Sequence, residues 1–254
     1  MRLIQDNDDI PFEQENICPL QRLLNFNIIS IKLYYFFEKN PMTHNKPKLL
    51  PIAKEGYPFI AISLVFYYFS YALQNSLLTY FFLFLSLFII YFFRDPERTV
   101  PTEENLIVSP ADGKVVAIKP VIVGNETYNQ ISIFLSVFNV HINRAPITGM
   151  ISDKKYNPGK FLVAFAEKAS EVNEQTSLTI TNDNKKIIVK QIAGLIARRI
   201  VCWPQNGDMI KKGDRFGLIK FGSRVDLLLP SQCKINVNVG EKVKGGSTII
   251  GELR

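Results

Sequence analysis

Between Tyr57 and Phe93 the chain carries no Asp, Glu, Lys or Arg, and this stretch constrains the architecture more than any other. One continuous helix of that length would reach about 55 Å, well past a hydrocarbon core of about 30 Å. Gln74-Asn75-Ser76 lies at its centre, so the economical solution is a hairpin of two short helices, each near the lower limit for crossing a bilayer. Lys46, Lys48 and Lys54 precede the stretch, and Arg94 and Arg98 follow it. By the tendency of basic residues to stay on the cytoplasmic side, both ends face the cytoplasm. A buried soluble hairpin is the competing reading; aromatic density and the absence of charge argue against it. Spanning the bilayer and dipping into one leaflet both satisfy the pattern.

The formal net charge of +7 over 254 residues suits an anionic partner, either nucleic acid or an anionic membrane face. No nucleic-acid signature accompanies the charge, so membrane is preferred and nucleic acid is not expected. Residues 1–22 are polar and acidic, and residues 1–17 lack the basic-then-apolar order of a secretory signal. Leu23 to Phe37 is an apolar run that reads either as a surface helix at the membrane or as a helix packed on the domain. Pro41 to Pro51, rich in Pro and Lys, reads as a linker. Cys18, Cys202 and Cys233 are widely spaced and lack metal-ligand spacing. They read as reduced thiols, and no metal site is expected.

Arg94-Asp95-Pro96-Glu97-Arg98 is a charged exit with Pro96 stopping the helix. Beyond it the segments are short, β-branched and punctuated by Gly, Asn and Pro. Leu106–Val108, Lys114–Lys119, Gln130–Val137, Ser177–Thr181, Lys186–Ile192, Arg215–Phe221 and Arg224–Leu229 read as strands. Only Phe161–Glu171 reads as helix. Gly207 to Gly217 and Gly240 to Ile250 share Gly, an acidic residue, Lys, an apolar residue and Gly at matching offsets. This echo predicts two similar hairpins, as in the flattened barrels that carry lipoyl or biotinyl groups. The expected fold is mostly β (α+β) with such hairpins, preceded by a hydrophobic helical hairpin. The expected domains are an extension and linker over 1–56, the membrane-associated hairpin over 57–93, and the catalytic domain over 94–254.

Three segments carry candidate chemistry: Val108-Ser109-Pro110-Ala111-Asp112-Gly113, Phe138-Asn139-Val140-His141-Ile142-Asn143-Arg144-Ala145-Pro146, and Phe221-Gly222-Ser223-Arg224-Val225-Asp226. In this order they resemble the short form of the pyruvoyl-dependent phosphatidylserine decarboxylases, from about Glu55 to the C-terminus. The resemblance implies that the Ser223 hydroxyl attacks the Gly222 carbonyl to give an ester. Elimination then splits the chain into 1–222 and 223–254, and hydrolysis leaves a pyruvoyl group where Ser223 stood. Such a group takes up the substrate amine as a Schiff base and serves as the electron sink that decarboxylation needs and no side chain supplies.

A serine hydroxyl needs a base, and a base needs orienting. Of the two histidines, His44 lies in the linker and His141 follows a strand within a motif. The resemblance implies His141 as base and Asp112 as its orienter; Asp112 before Gly113 also reads as a turn residue. Longer members carry a first histidine where this chain has Phe138, so one imidazole remains and the proton donor to the α-carbon is open. Gly245-Gly246-Ser247-Thr248 looks like a cleavage motif but lies close to the terminus, and Ser223 is preferred over Ser247. Arg144, Lys160, Arg198 and Arg199 are candidates to face a phosphodiester or carboxylate.

The implied activity is decarboxylation of phosphatidylserine to phosphatidylethanolamine at the cytoplasmic face of the cell membrane, by an enzyme assembled from its own two fragments. The alternatives are the same reaction on archaetidylserine and, in a different class, a membrane-tethered lipoyl-like scaffold without catalysis. Every candidate chemical residue lies after Arg94. The hairpin is therefore expected to localise the enzyme without entering its chemistry.

Overall fold

The computed structural model describes residues 51–159, 173–183, 185–194, 200–220 and 223–253. The apolar run 23–37, His44, Cys18, the expected helix 161–171, Lys160, Arg198, Arg199 and Gly222 lie outside the described residues. The charge-free stretch forms α1 (Tyr57–Ala72) and α2 (Ser76–Phe92). Pro58 occupies the first turn of α1, where its missing N–H costs no helical bond. Asn75 caps α2, its side chain accepting from Leu78 N at 3.1 Å. Gln74 turns the chain at a φ of 54°. A Ser63–Ser86 hydroxyl bond of 2.9 Å is buried between the helices. Outward, Val65, Tyr68, Phe69, Tyr80 and Phe84 are all exposed.

The remainder is β-structure made of two matching units. One is continuous: β4 (Ile142–Arg144), β5 (Gly149–Asn157), β6 (Gln175–Asn182), β7 (Lys185–Ala193), β8 (Ile200–Cys202), β9 (Met209–Ile210) and β10 (Arg215–Ile219). The other is split around it: β1 (Leu106–Val108), β2 (Gly113–Val123) and β3 (Glu126–Leu135) come before, and β11 (Ser223–Pro230), β12 (Lys234–Ile235), β13 (Lys242–Val243) and β14 (Ile249–Glu252) come after. An eight-stranded sheet runs β13-β2-β3-β11-β7-β6-β5-β9, curled as a half-barrel. The three-stranded sheets β1-β14-β12 and β4-β10-β8 complete the two units.

The match is detailed. β2 shifts register against β3 between Val115 and Ala117, and β5 shifts against β6 between Ile151 and Asp153. A Cβ on Gly113 would meet Phe134 O at 2.3 Å; one on Gly149 would meet Thr181 O at 2.5 Å. The units exchange equivalent bonds where they meet, Val108 N to Pro146 O (3.0 Å) and Arg144 N to Pro110 O (2.9 Å). Seven strands therefore repeat, whereas the sequence echo covered only the last two of each unit. Those two are not hairpins. β9 and β13 edge the large sheet, while β10 and β14 belong to the small ones. Gly213 and Gly246, at φ 83° and 77°, turn the chain from one sheet to the other, a backbone region that side chains disfavour.

β11 is central in the large sheet, between β3 and β7, and buried from Ser223 to Leu229. The main core packs Val225, Leu227 and Leu229 against Ile131, Ile133, Ile187 and Val189. A second apolar cluster joins Ala53, Phe92 and Phe93 at the hairpin's base to Val140, Ile142 and Leu218 on the β-domain.

Candidate active site

Ser223 opens β11, opposite Leu135 on one side and Ala193 on the other. It is fully buried, and its hydroxyl has no hydrogen-bond partner among the described residues. Buried polar atoms are nearly always paired, so an orphan of this kind calls for a chemical explanation. The strands on either side of the Gly222–Ser223 bond, both expected from the sequence, are not paired with each other. β10 runs with β4 and β8, and β11 with β3 and β7.

His141 immediately precedes β4, where Ile142 pairs with Leu218 of β10. Continuing that register sets His141 opposite Ile219, the last residue of β10 before the chain returns to Ser223. Its ring lies 4.1 Å from the Phe92 ring, tilted by 30°, in a pocket with Ala53, Phe93, Arg94 and Leu218. Both ring nitrogens are buried, and neither makes a hydrogen bond of ordinary geometry among the described residues, the Asn139 backbone being a looser neighbour. Burial drives the His141 pKa from 6.5 down to about 4; the Arg94 charge adds to the drop and the Asn139 backbone offsets part of it. The imidazole is therefore neutral at physiological pH, with a lone pair to accept a proton.

Asp112 does not meet His141 by any hydrogen bond. Its Oδ2 accepts from Arg98 Nη2 at 2.8 Å and its Oδ1 from Gly245 N at 2.8 Å. At the equivalent place in the continuous unit, Thr148 Oγ1 accepts from Lys212 N at 3.0 Å. The bond to Gly245 is thus a turn clamp that both units use, and the Arg98 bridge is the addition. Pro110, in the same turn, accepts from Arg144 N, so the turn is tied to the strand that follows His141.

Two further expectations change. Arg144 is not free to face a phosphate. It is buried, donating to Gly213 O at 2.9 Å and Pro96 O at 2.9 Å, with Asp95 Oδ1 at 3.4 Å. The hairpin is also not a separate anchor. Tyr91 Oη and Arg94 Nη2 both donate to Phe138 O, at 3.1 and 2.7 Å, and Asp95 pairs with Arg215 Nε at 2.8 Å. Phe92, Arg94 and Arg98 escaped the sequence reading because they looked like the end of a membrane segment. Ser247 lies in the turn before β14, matching Asp214 before β10, which accounts for the misleading Gly-Ser there.

The comparisons decide the relationship. Residues 85–251 match the model of the family described as phosphatidylserine decarboxylase. Over 209 residues the chain is 47% identical to the "Phosphatidylserine decarboxylase proenzyme" of Desulfotalea psychrophila, covering 80% of this chain and 97% of that relative. The chain belongs to the phosphatidylserine decarboxylase family. Its counterpart of the same name from Geotalea uraniireducens is 48% identical over 214 residues, 81% of this chain and 98% of the relative. That of Geobacter metallireducens is 48% identical over 211 residues, 80% and 97% respectively. The phosphatidylserine decarboxylase match takes in the last part of the second helix, all three motifs and the two β-units as far as Gly251.

Proposed function

We propose that this chain is a self-processing carboxy-lyase that converts phosphatidylserine to phosphatidylethanolamine at a membrane surface. The observation that carries the reading is Ser223: a fully buried hydroxyl without a partner, opening the central strand of a family whose relatives are named proenzymes. His141 takes the serine proton as the hydroxyl attacks the Gly222 carbonyl. A base with a pKa of about 4 is always available but weak, which a reaction made once per chain tolerates. Asp112 acts through the backbone rather than on the ring: it holds the Pro110 turn, which accepts from Arg144 N behind His141.

The environment of Ser223 fits a pyruvoyl group. Its neighbours across the sheet, Leu135 and Ala193, are buried and apolar, and a carbonyl group there displaces no hydrogen bond of the serine. When formed, such a group supplies the electron sink for the pair left behind by departing carbon dioxide. The chain's part is to keep that carbon dry, to hold it at the start of a buried strand, and to keep the His141 nitrogens unpaired near β10.

Membrane attachment rests on the uncharged hairpin and its exposed Tyr, Phe, Leu and Val side chains, a larger apolar surface than soluble proteins leave to water. At 16 and 17 residues the helices reach about 24–26 Å, and no described helix is long and apolar enough to cross a membrane. In this reading the hairpin inserts into the membrane with its base, and His141, at the lipid surface, and the catalytic domain lies on the cytoplasmic side. Intact-mass measurement on the purified protein tests the processing: two species, 1–222 and 223–254, are expected. A single species of 1–254 in catalytically active protein overturns it. Flotation with phosphatidylserine-containing vesicles tests the attachment.

A further inference from the structure

The β6–β7 pair and the β3–β11 pair occupy equivalent places in the two units, but their registers are held differently. β6 and β7 are joined through a short turn in which Asp183 sits at φ 50°, and Asn182 faces Lys185. A turn of fixed length sets the register of the strands it joins. In the split unit the corresponding pair is Leu135 and Ser223, and the whole continuous unit is inserted between them. Once Gly222–Ser223 is cut, no covalent link leads into β11 from its start.

The apolar pattern of β11 is a poor guard of register. Val225, Leu227 and Leu229 alternate into the core, and a slip of two residues, about 6.7 Å, leaves similar side chains facing it. On the other face lies a buried polar cluster. Arg224 Nε donates to Asp226 Oδ1 at 2.6 Å, and Arg224 Nη2 to Asp226 Oδ2 at 3.2 Å and to Ser132 Oγ at 2.7 Å. Gln130 Nε2 reaches Asp226 Oδ2 and Ser132 Oγ, each at 3.1 Å. The four residues span β11 and β3 and are all buried. The equivalent positions to Arg224 and Asp226 in the continuous unit are Lys186 and Ile188, which cannot form such a pair.

A buried ion pair contributes little stability beyond an apolar pair of the same shape, and its best attested use is to specify register. A two-residue slip would carry the Arg224–Asp226 pair as a unit away from Ser132, to face Phe134 or Gln130, and would leave its buried cross-strand bonds to Ser132 and Gln130 unmade. We propose that Arg224, Asp226, Ser132 and Gln130 form a register clamp that replaces the missing turn and keeps residue 223 in place after the chain is cut. These are positioning residues, and the proposal rests on the cleavage at Ser223 set out above.

The experiment is a comparison in two backgrounds of the full-length chain. Arg224→Met with Asp226→Leu is introduced into the self-cut protein and into the uncut Ser223→Ala protein, and melting is followed for both. In the cut protein the melting temperature is expected to fall by about 5 °C or more, against less than about 2 °C in the uncut one. The kcat of the cut variant on phosphatidylserine is expected to fall on the order of 100-fold with KM little changed, as small displacements of a reacting group cost rate rather than binding. Ser132→Ala, which removes one cross-strand bond and keeps the ion pair, gives the same pattern at about a tenfold loss if the double variant does not mature. Equal melting shifts in both backgrounds, or an unchanged kcat, overturn the clamp. A wild-type chain that is never cut overturns the cleavage reading and removes the strand end that the clamp would hold.

Discussion

The two β-units of this chain have nearly the same wiring and, under the proposed cleavage, opposite fates. The continuous unit, β4 to β10, closes its central hairpin with a turn at Asp183 and is expected to stay one piece. The split unit leaves the same hairpin open and receives the other unit in the gap. His141 sits on the outgoing crossing and Ser223 on the returning one. The difference teaches where a chain can be cut without falling apart. Within the split unit β11 pairs over its whole length with β3, while β13 and β14 pair with β2 and β1. The proposed cut would end a connection between units, and the sheet would hold the pieces.

The comparison breaks most sharply at Ser223. Ser223→Ala is expected to abolish both the two-fragment pattern and decarboxylase activity, leaving the split unit covalently joined to its partner; Ser247→Ala, in the turn both units share, is expected to change neither. Gel electrophoresis and intact mass read both variants.

His141→Ala is expected to slow maturation by at least about 100-fold, the usual contribution of a general base, as followed by accumulation of the uncut precursor. The wild-type pH profile sharpens this. With the folded pKa near 4 and the ordinary value at 6.5, the unfolded chain binds the proton more readily between those values. The His141 contribution to unfolding free energy is therefore fully present above about pH 6.5 and is lost as pH falls toward 4. Cleavage is expected to stay level from neutral pH to about 5 and to fail near 4. Urea titrations across pH 4–7 on wild type and His141→Ala isolate the contribution of the imidazole. Removing the hairpin before Arg94 is expected to impair maturation as well, since it strips Phe92 from the His141 ring.

Gly113→Ala and Gly149→Ala test the equivalence itself. Each new methyl would lie within 2.5 Å of a backbone oxygen, and overpacking of that kind costs roughly 1–3 kcal/mol. Similar losses in chemical denaturation are expected from both; a loss from only one would refute the structural match. The smallest effect is expected from Thr148→Val, which removes one bond to Lys212 N, at about 1 kcal/mol. Asp112→Asn keeps the matching bond but weakens the Arg98 bridge, so it is expected to slow maturation while Thr148→Val does not.

What the sequence determined by itself was local. The absence of charge from Tyr57 to Phe93 was enough for two helices and a turn at Gln74, because a long apolar run has few other ways to satisfy its backbone. Alternation marked β6, β7 and β11 nearly to their ends, and the three motifs singled out Ser223 and His141, two of the six described residues whose buried polar atoms have no hydrogen-bond partner. Short strands such as β4 and β8 carried too few residues for a period to show. The tertiary structure alone decided the pairings: Asp112 with Arg98 and Gly245, Arg144 with the hairpin's exit, Phe92 over His141. It also decided the duplication. The units share backbone register, left-handed glycines and a few hydrogen bonds, while their side chains differ, because a sheet constrains where the backbone goes far more tightly than which apolar residue fills the core.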